Sequence, residues 1–342
     1  MKRSIRLLLA GLFPLLILAG CGNFSFPVLN PSPTPTETAT VTPSPFPTAT
    51  PDLGKVVLVA PPEVLPERVM QVVEAIRPTV TEAGYIVETI GQIPTGSLGP
   101  NRIAAIFLSI PGNLVEIIAA NPQTQMVVVS NVDLQTGPTL TVLREYPEYQ
   151  AFIAGYAAVL ASPGWRAAGL IPDDGGEVNV LANAFMSGGR YFCGRCGTST
   201  PPFAPYPLTE TAPRGATSVE WQAAVTNILP AGLETVYFSK EAQSNELLQN
   251  MLSQNLRLLG TTYPGDAFKD RWVATVSMNV DGSLVGILPD ILKGQGGRVI
   301  PVGVQVTDIN EAYLSAGKQR LIDEINKELM AGQLNPFTVT LY

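Results

Sequence analysis

From Lys55 onward, short valine-rich runs alternate with segments of helical period, and the alternation runs through the chain twice. "KVVLVAPP", beginning at Lys55, is a continuous apolar run, the pattern of a strand buried on both faces. "PERVMQVVEAIRPTVTEAG" then places Val69, Val72, Val73, Ile76 and Val80 at helical spacing and stops at Gly84, with Pro78 a point where the helix kinks or divides. "YIVETI", "RIAAIFLSIPG", "TQMVVVSNVD" and "TLTVLREY" read as further strands, with a short helix from Asn113 to Ala120. Strands separated by helices demand a parallel sheet, because a parallel crossover is too long for a tight hairpin.

The second run opens with "PEYQAFIAGYAAVLASPG", a helix whose Ala154, Gly155, Ala157 and Ala158 permit close packing. Strand "RAAGLIPDDGG", helix "EVNVLANAFMSGGRYF", weak strand "YPLTETAP" and helix "SVEWQAAVTNIL" follow. Strand "LETVYFSK", helix "NELLQNMLSQN" and strand "RLLGTTYPGD" continue the rhythm. The chain ends with strand "RWVATVSMN", helix "GSLVGILPDILKG", an extended "RVIPVGVQVTDIN", helix "LSAGKQRLIDEINKELMAG" and a final strand "FTVTLY". Lys55 to Tyr342 is long for one hydrophobic core and suits two lobes. The expected fold class is α/β, with two doubly wound parallel-sheet lobes facing each other across a cleft.

The first residues belong to neither lobe. Lys2, Arg3 and Arg6 precede an apolar run from Leu7 to Ala19, shorter than the about 20 residues that span a bilayer. This is the pattern of a secretory signal peptide over residues 1–20. Leu18-Ala19-Gly20-Cys21 resembles the bacterial lipobox, in which the cysteine is lipidated. Two or three acyl chains on Cys21 would give a stable membrane anchor, where a single chain binds only reversibly. Residues 21–52 form a linker, and from Pro27 to Asp52 it consists almost wholly of Pro, Thr, Ser and Ala. With few large apolar groups to offset its ordering entropy, this segment is expected to be an extended stalk on the outer face of the cell membrane.

Composition excludes several chemistries. The formal net charge is −7 and the basic residues form no stripe, so nucleic acid is not an expected partner. There is no histidine, which removes Ser-His-Asp and Cys-His catalysis and histidine-ligated zinc. With Cys21 assigned to lipid, Cys193 and Cys196 are the remaining pair. Two ligands do not complete a structural zinc site. Outside the cytoplasm a disulfide clip at a helix end is the expected role; a thiol oxidoreductase couple is the alternative, although Gly197 to Pro202 does not begin a helix directly after the pair. No catalytic group, metal or cofactor is expected.

"YPEYQAFIAGYAAVLASPGWRAAGLIPDDGG", "NVLANAFMSGGRY" and "WVATVSMNVDGSLVGILPDILKG" resemble, in order, segments of the basic membrane protein family of solute-binding lipoproteins. In that family an aromatic-rich "YLAG" helix runs into a "vGfigG" strand. The resemblance covers most of residues 55–340. It implies a type I periplasmic-binding-protein fold, lobes joined by hinge strands, and capture of a small molecule, purine nucleosides among them, for an ABC importer. It divides the chain into a first lobe of residues 55–146 plus 267–310 and a second of 147–266 plus 311–342. The family's first βα loop carries a "D…DDxSFN" stretch that holds the ligand. Here that place reads "VLVAPPEVLPERV", so the nucleoside assignment does not carry over at that loop. A sensor or surface-interaction lipoprotein that kept the fold without transport is the second reading, and the proline pair Pro61-Pro62 points toward it.

In open α/β sheets a ligand lies beyond the C-terminal ends of the strands. That rule selects Pro61, Pro62, Ser109, Asn131, Glu145, Tyr146, Asp173, Asp174, Ser239, Lys240, Glu241 and Asp266. The resemblance puts at Asp266 an acidic residue that binds sugar hydroxyls; an ordinary turn aspartate after Pro-Gly is the alternative. Tyr146 and Tyr191 are candidates to stack on a ring, against the plainer reading of half-buried packing. Asp173-Asp174-Gly175-Gly176 would repel an anion and reads as the start of a helix.

Overall fold

The structure, a computed structural model, describes residues 53–337 except 94, 95, 174, 177 and 198–200. Cys21, the stalk, Asp174 and the final strand from 338 onward therefore lie outside the described residues. Among the described residues no helix is long and apolar enough to cross a membrane.

The first run of alternation builds one sheet. Strands β1 (Lys55–Val59), β2 (Ile86–Ile90), β3 (Arg102–Phe107), β4 (Gln125–Ser130) and β5 (Leu140–Arg144) are joined by helices α1 (Pro66–Glu82) and α2 (Leu114–Ala120). Helix α1 runs on through Pro78, which occupies an exposed position, while Val72, Ile76 and Val80 face the sheet. All strand pairs in this sheet are parallel, in the order β2-β1-β3-β4-β5. Every residue of β4 is buried, its polar ends Gln125 and Ser130 included, and the apolar run of residues 126–129 between them is that of a strand covered on both faces.

The second run repeats the plan. Helix α3 (Pro147–Ala161) leads into β6 (Ala167–Asp173), α4 (Val180–Cys193), β7 (Leu208–Pro213), α5 (Ser218–Ile228), β8 (Thr235–Phe238), α6 (Asn245–Ser253), β9 (Arg257–Gly260) and β10 (Trp272–Met278). The sheet order is β7-β6-β8-β9-β10, the first sheet's order again. The remainder is shared: α7 (Val280–Leu292) and β11 (Val299–Pro301) join the first lobe, β12 (Val304–Thr307) and α8 (Ala316–Met330) the second. Strand β11 lies parallel to β5, and β12 antiparallel to β10.

The chain therefore crosses between lobes three times, at residues 145–146, at Asn279 and at residues 302–303. The return to the first lobe falls at Asn279 and not at residue 267. Strand β10 pairs with β9 and β12 and stays in the second sheet, so 267–278 and 304–310 belong to the second lobe. An apolar strand carries no mark of which sheet it will join. The extended "RVIPVGVQVTDIN" is likewise two strands in different sheets, divided at Val302-Gly303.

Helix α3 is buried at every position from Ala151 to Ala161, between the second sheet, α4 and α8. It carries Phe152 and Gly155, and α4 carries Phe185 and Gly188, at the same spacing. A β-carbon on Gly155 would overlap the Phe185 carbonyl oxygen, and one on Gly188 the Phe152 carbonyl oxygen. The two glycines let the backbones touch. At the far end of α3, Lys318 Nζ donates to the carbonyls of Leu160 at 2.6 Å and Tyr313 at 3.0 Å. Arg257 donates to the Ala161 carbonyl and lies 4.6 Å over the Tyr313 ring. Cations are favoured at a helix C-terminus, where carbonyls have no intrahelical partner.

Candidate ligand-binding cleft

The strand ends of both lobes open on a cavity of about 630 Å³, within the range of small-molecule sites. From the second lobe come the ends of all five parallel strands. Pro172 ends β6, Arg214 follows β7, Ser239 to Glu241 follow β8, Thr261 to Tyr263 follow β9, and Thr275, Ser277 and Met278 belong to β10. Gln150 at the start of α3 and Gln305 on β12 complete this side. From the first lobe come Arg68 and Gln71 on the first turns of α1, Asn131 after β4, Glu145 after β5, and Asp281 at the start of α7.

Several of these side chains are held by neighbours. Arg68 donates from both terminal nitrogens to the two Asp281 oxygens at 2.7 Å each, a bidentate pair between α1 and α7. Arg214 lies 3.3 Å from Glu241. Gln150 donates to the Val276 carbonyl at 2.8 Å. Thr275 Oγ1 accepts from Trp272 at 3.2 Å and Ser277 Oγ from Gln305 at 3.2 Å, which leaves each hydroxyl proton free to donate. Gln243 Oε1 accepts from the Thr261 backbone N–H at 2.8 Å and fixes the loop after β9.

Tyr237 is almost fully buried and stacks on Phe185 with ring centroids 5.6 Å apart. Burial, and then the charge of Glu241, push its pKa well above the usual tyrosine range. The phenol stays protonated, and its hydroxyl has no hydrogen-bond partner among the described residues of this cleft. Burial raises the pKa of Glu145 against the opposing pull of Arg68, Lys240 and Arg144. Withdrawing a carboxylate from water disfavours its charged form.

Of the residues selected from the sequence, Asn131, Glu145, Ser239, Lys240 and Glu241 meet in this cleft. The others do not. Ser109 and Pro61 line a separate cavity of about 390 Å³ inside the first lobe, with Gly91, Ile93, Phe107 and Asn113. Tyr146, at the first crossing, stacks on Tyr149 at 4.8 Å and has the Arg144 guanidinium 4.8 Å from its ring centre. Tyr191 packs 5.9 Å from Phe152, with its hydroxyl 3.5 Å from Glu328 of α8. Helix α4 starts at the cleft with Leu181 and runs away from it, so a residue near its last turn lies at the other end of the lobe. Asp266 is exposed in a single 3₁₀ turn and accepts from the Tyr263 hydroxyl at 3.0 Å. It touches the cleft only through that tyrosine. Asp173 closes a turn by accepting from the Gly175 N–H at 2.9 Å. Cys193 and Cys196 sit at the C-terminal end of α4 with Cα atoms 4.9 Å apart, away from the cleft.

Arg214, Thr261, Thr262 and Tyr263 were within reach of the strand-end rule, since each follows a strand. Arg68, Gln71, Gln150 and Asp281 sit on the first turns of helices that face the cleft, where no motif marks them. Among the described residues no group of His, Cys, Asp or Glu could hold a metal ion.

No protein-family model matches the chain, and no curated protein matches its sequence. Solved structures do resemble it. An ABC transporter solute-binding protein from Conexibacter woesei superposes with a TM-score of 0.59 at 13% identity, over 82% of this chain and 98% of that one. An ABC transporter solute-binding protein from Aeropyrum pernix gives 0.56 at 10% identity, over 83% and 92%. A transcriptional activator of the comK gene from Bacillus halodurans gives 0.56 at 11% identity, over 83% and 99%. At these identities the likeness establishes the fold: two mostly parallel α/β lobes of the type I periplasmic-binding-protein kind.

Proposed function

We propose that this chain is an extracytoplasmic solute-binding lipoprotein that captures a small polar molecule between its lobes and delivers it to an ABC importer. The observation that carries this reading is the cleft itself. Both lobes line it, three crossings join them beside it, and its polar groups converge on one cavity. Binding with hinge closure needs no catalytic group, and the chain is read as a binding protein and not an enzyme. The resemblance of this chain to two solved solute-binding proteins of ABC transporters supports the same role. The lipobox at Cys21 supports a lipid anchor, with the Pro/Thr-rich stalk holding the lobes away from the membrane. Cys193 and Cys196 serve as a disulfide clip that ties down the end of α4. Membership of the basic membrane protein family rests on the three quoted segments. A nucleoside ligand is not favoured, because the β1–α1 loop turns Pro61 into the first lobe's own cavity.

That same loop favours a second reading, a sensor or surface-interaction lipoprotein without a transport partner. Thermal-shift measurements against nucleosides, sugars and amino acids decide between the two. A ligand at a hundredfold excess over its Kd stabilises by about 2.7 kcal/mol, so a clear rise in Tm is expected for one class. A melting curve that no solute moves would remove transport in favour of the second reading.

A further inference from the structure

The charges of the cleft sort into two sets. Arg68 is engaged by Asp281 within the first lobe, and Arg214 by Glu241 within the second. Two charged groups remain, Glu145 at the first crossing and Lys240 in the loop after β8. Neither side chain makes an ion pair or a hydrogen bond among the described residues. They come from opposite lobes, and Lys240 is near enough for its charge to act on the Glu145 carboxyl. Closing the lobes would withdraw both from water, and a buried charge left without a partner is strongly destabilising.

We propose that the cleft takes a small zwitterion of the α-amino-acid class, with its ammonium on Glu145 and its carboxylate on Lys240. Glu145 and Lys240 are near enough to act on each other yet make no ion pair, so a ligand with one charge of each sign can sit between them. An uncharged sugar or nucleoside would bring no charge to either group, a simple anion would serve Lys240 alone, and a simple cation Glu145 alone. Thr275 and Ser277 each already accept a hydrogen bond and keep a proton to donate. Tyr237 adds a phenolic donor on the same wall. Those donors match a side chain that carries an acceptor, such as the amide of glutamine or asparagine. This inference rests on the solute-binding reading and narrows it to one ligand class.

Isothermal titration of the full chain in detergent against individual amino acids, nucleosides and hexoses tests it. Binding of amide- or hydroxyl-bearing amino acids is expected, with loss when either the ligand's amino or its carboxyl group is blocked. Glu145→Gln and Lys240→Met should each weaken that binding about 10- to 100-fold, with unchanged circular dichroism showing that both variants fold. Binding of a nucleoside or sugar without any amino acid would overturn the charge argument and leave the solute-binding reading standing. Amino-acid binding that neither substitution weakens would overturn the assigned contacts. Binding of no solute of any class would remove the broader reading and this inference with it.

Discussion

The two lobes share a strand order and use it differently. In the second lobe all five parallel strands end at the interlobe cleft. In the first, β1, β2 and β3 end at a cavity of their own, and only β4, β5 and the first turns of α1 and α7 face the partner lobe. The helices that follow the crossings differ in the same sense. Helix α3 is buried on every side and packs backbone to backbone against α4. Helix α7 buries one face, Val280, Leu284, Ile287, Leu288 and Ile291, and leaves the other to solvent. One topology thus gives a polar cleft wall made of five strand ends in one lobe, and in the other a wall made of two strand ends and two helix starts. Strand order fixes where a site can lie; the loops decide which lobe supplies its chemistry.

The largest effect that would break this contrast is expected at the helix contact of the second lobe. Gly155→Ala places a methyl group against the Phe185 carbonyl and should cost about 3 kcal/mol by urea denaturation, because neither backbone has room to move. A loss below 1 kcal/mol would mean that α3 and α4 do not pack so closely. In the first lobe the Arg68–Asp281 pair is half-exposed on both sides. A double-mutant cycle with Arg68→Met and Asp281→Asn should give a coupling of about 1 kcal/mol that weakens in high salt. Zero coupling would detach α1 from α7 at the cleft.

Gly286, in the exposed face of α7, has nothing within reach of a β-carbon. Gly286→Ala should stabilise by about 0.5 kcal/mol through helix propensity. The same substitution therefore carries opposite signs in the two lobes, and matching signs would contradict the comparison. The smallest effect belongs to Glu145. Burial raises its folded pKa, so its contribution is favourable at low pH and is lost as pH rises through that value. Glu145→Gln should melt about 0.5 °C above the parent at neutral pH, and the gap should close below about pH 4. A gap that widens in acid would place the carboxylate in a favourable pairing instead.

Much of this was legible in the chain. Valine-rich runs such as "KVVLVAPP" and "TQMVVVSNVD" marked strands covered on both faces, and Gly155 among alanines marked a close helix contact. The strand-end rule brought Asn131, Glu145 and Ser239 to Glu241 to the cleft. It failed where a strand end serves a single lobe, as at Ser109, and it has no means of finding Arg68 or Asp281, which act from helix starts. The return crossing at Asn279 carries no mark in the sequence, because the mainly apolar run of β10 would suit either sheet. Tyr146 and Tyr191 found aromatic and cationic partners inside the protein, and a tyrosine's sequence does not state which partner it will have.

The most direct test of the proposed closure of the lobes on a solute is the distance between site-specific labels at Glu74 on α1 and Glu246 on α6, both exposed and on different lobes. The distance should shorten when the small-molecule dialysate of a cell extract, or a binding amino acid, is added, and recover on its removal. A single unchanged distance under every condition would contradict a closing cleft.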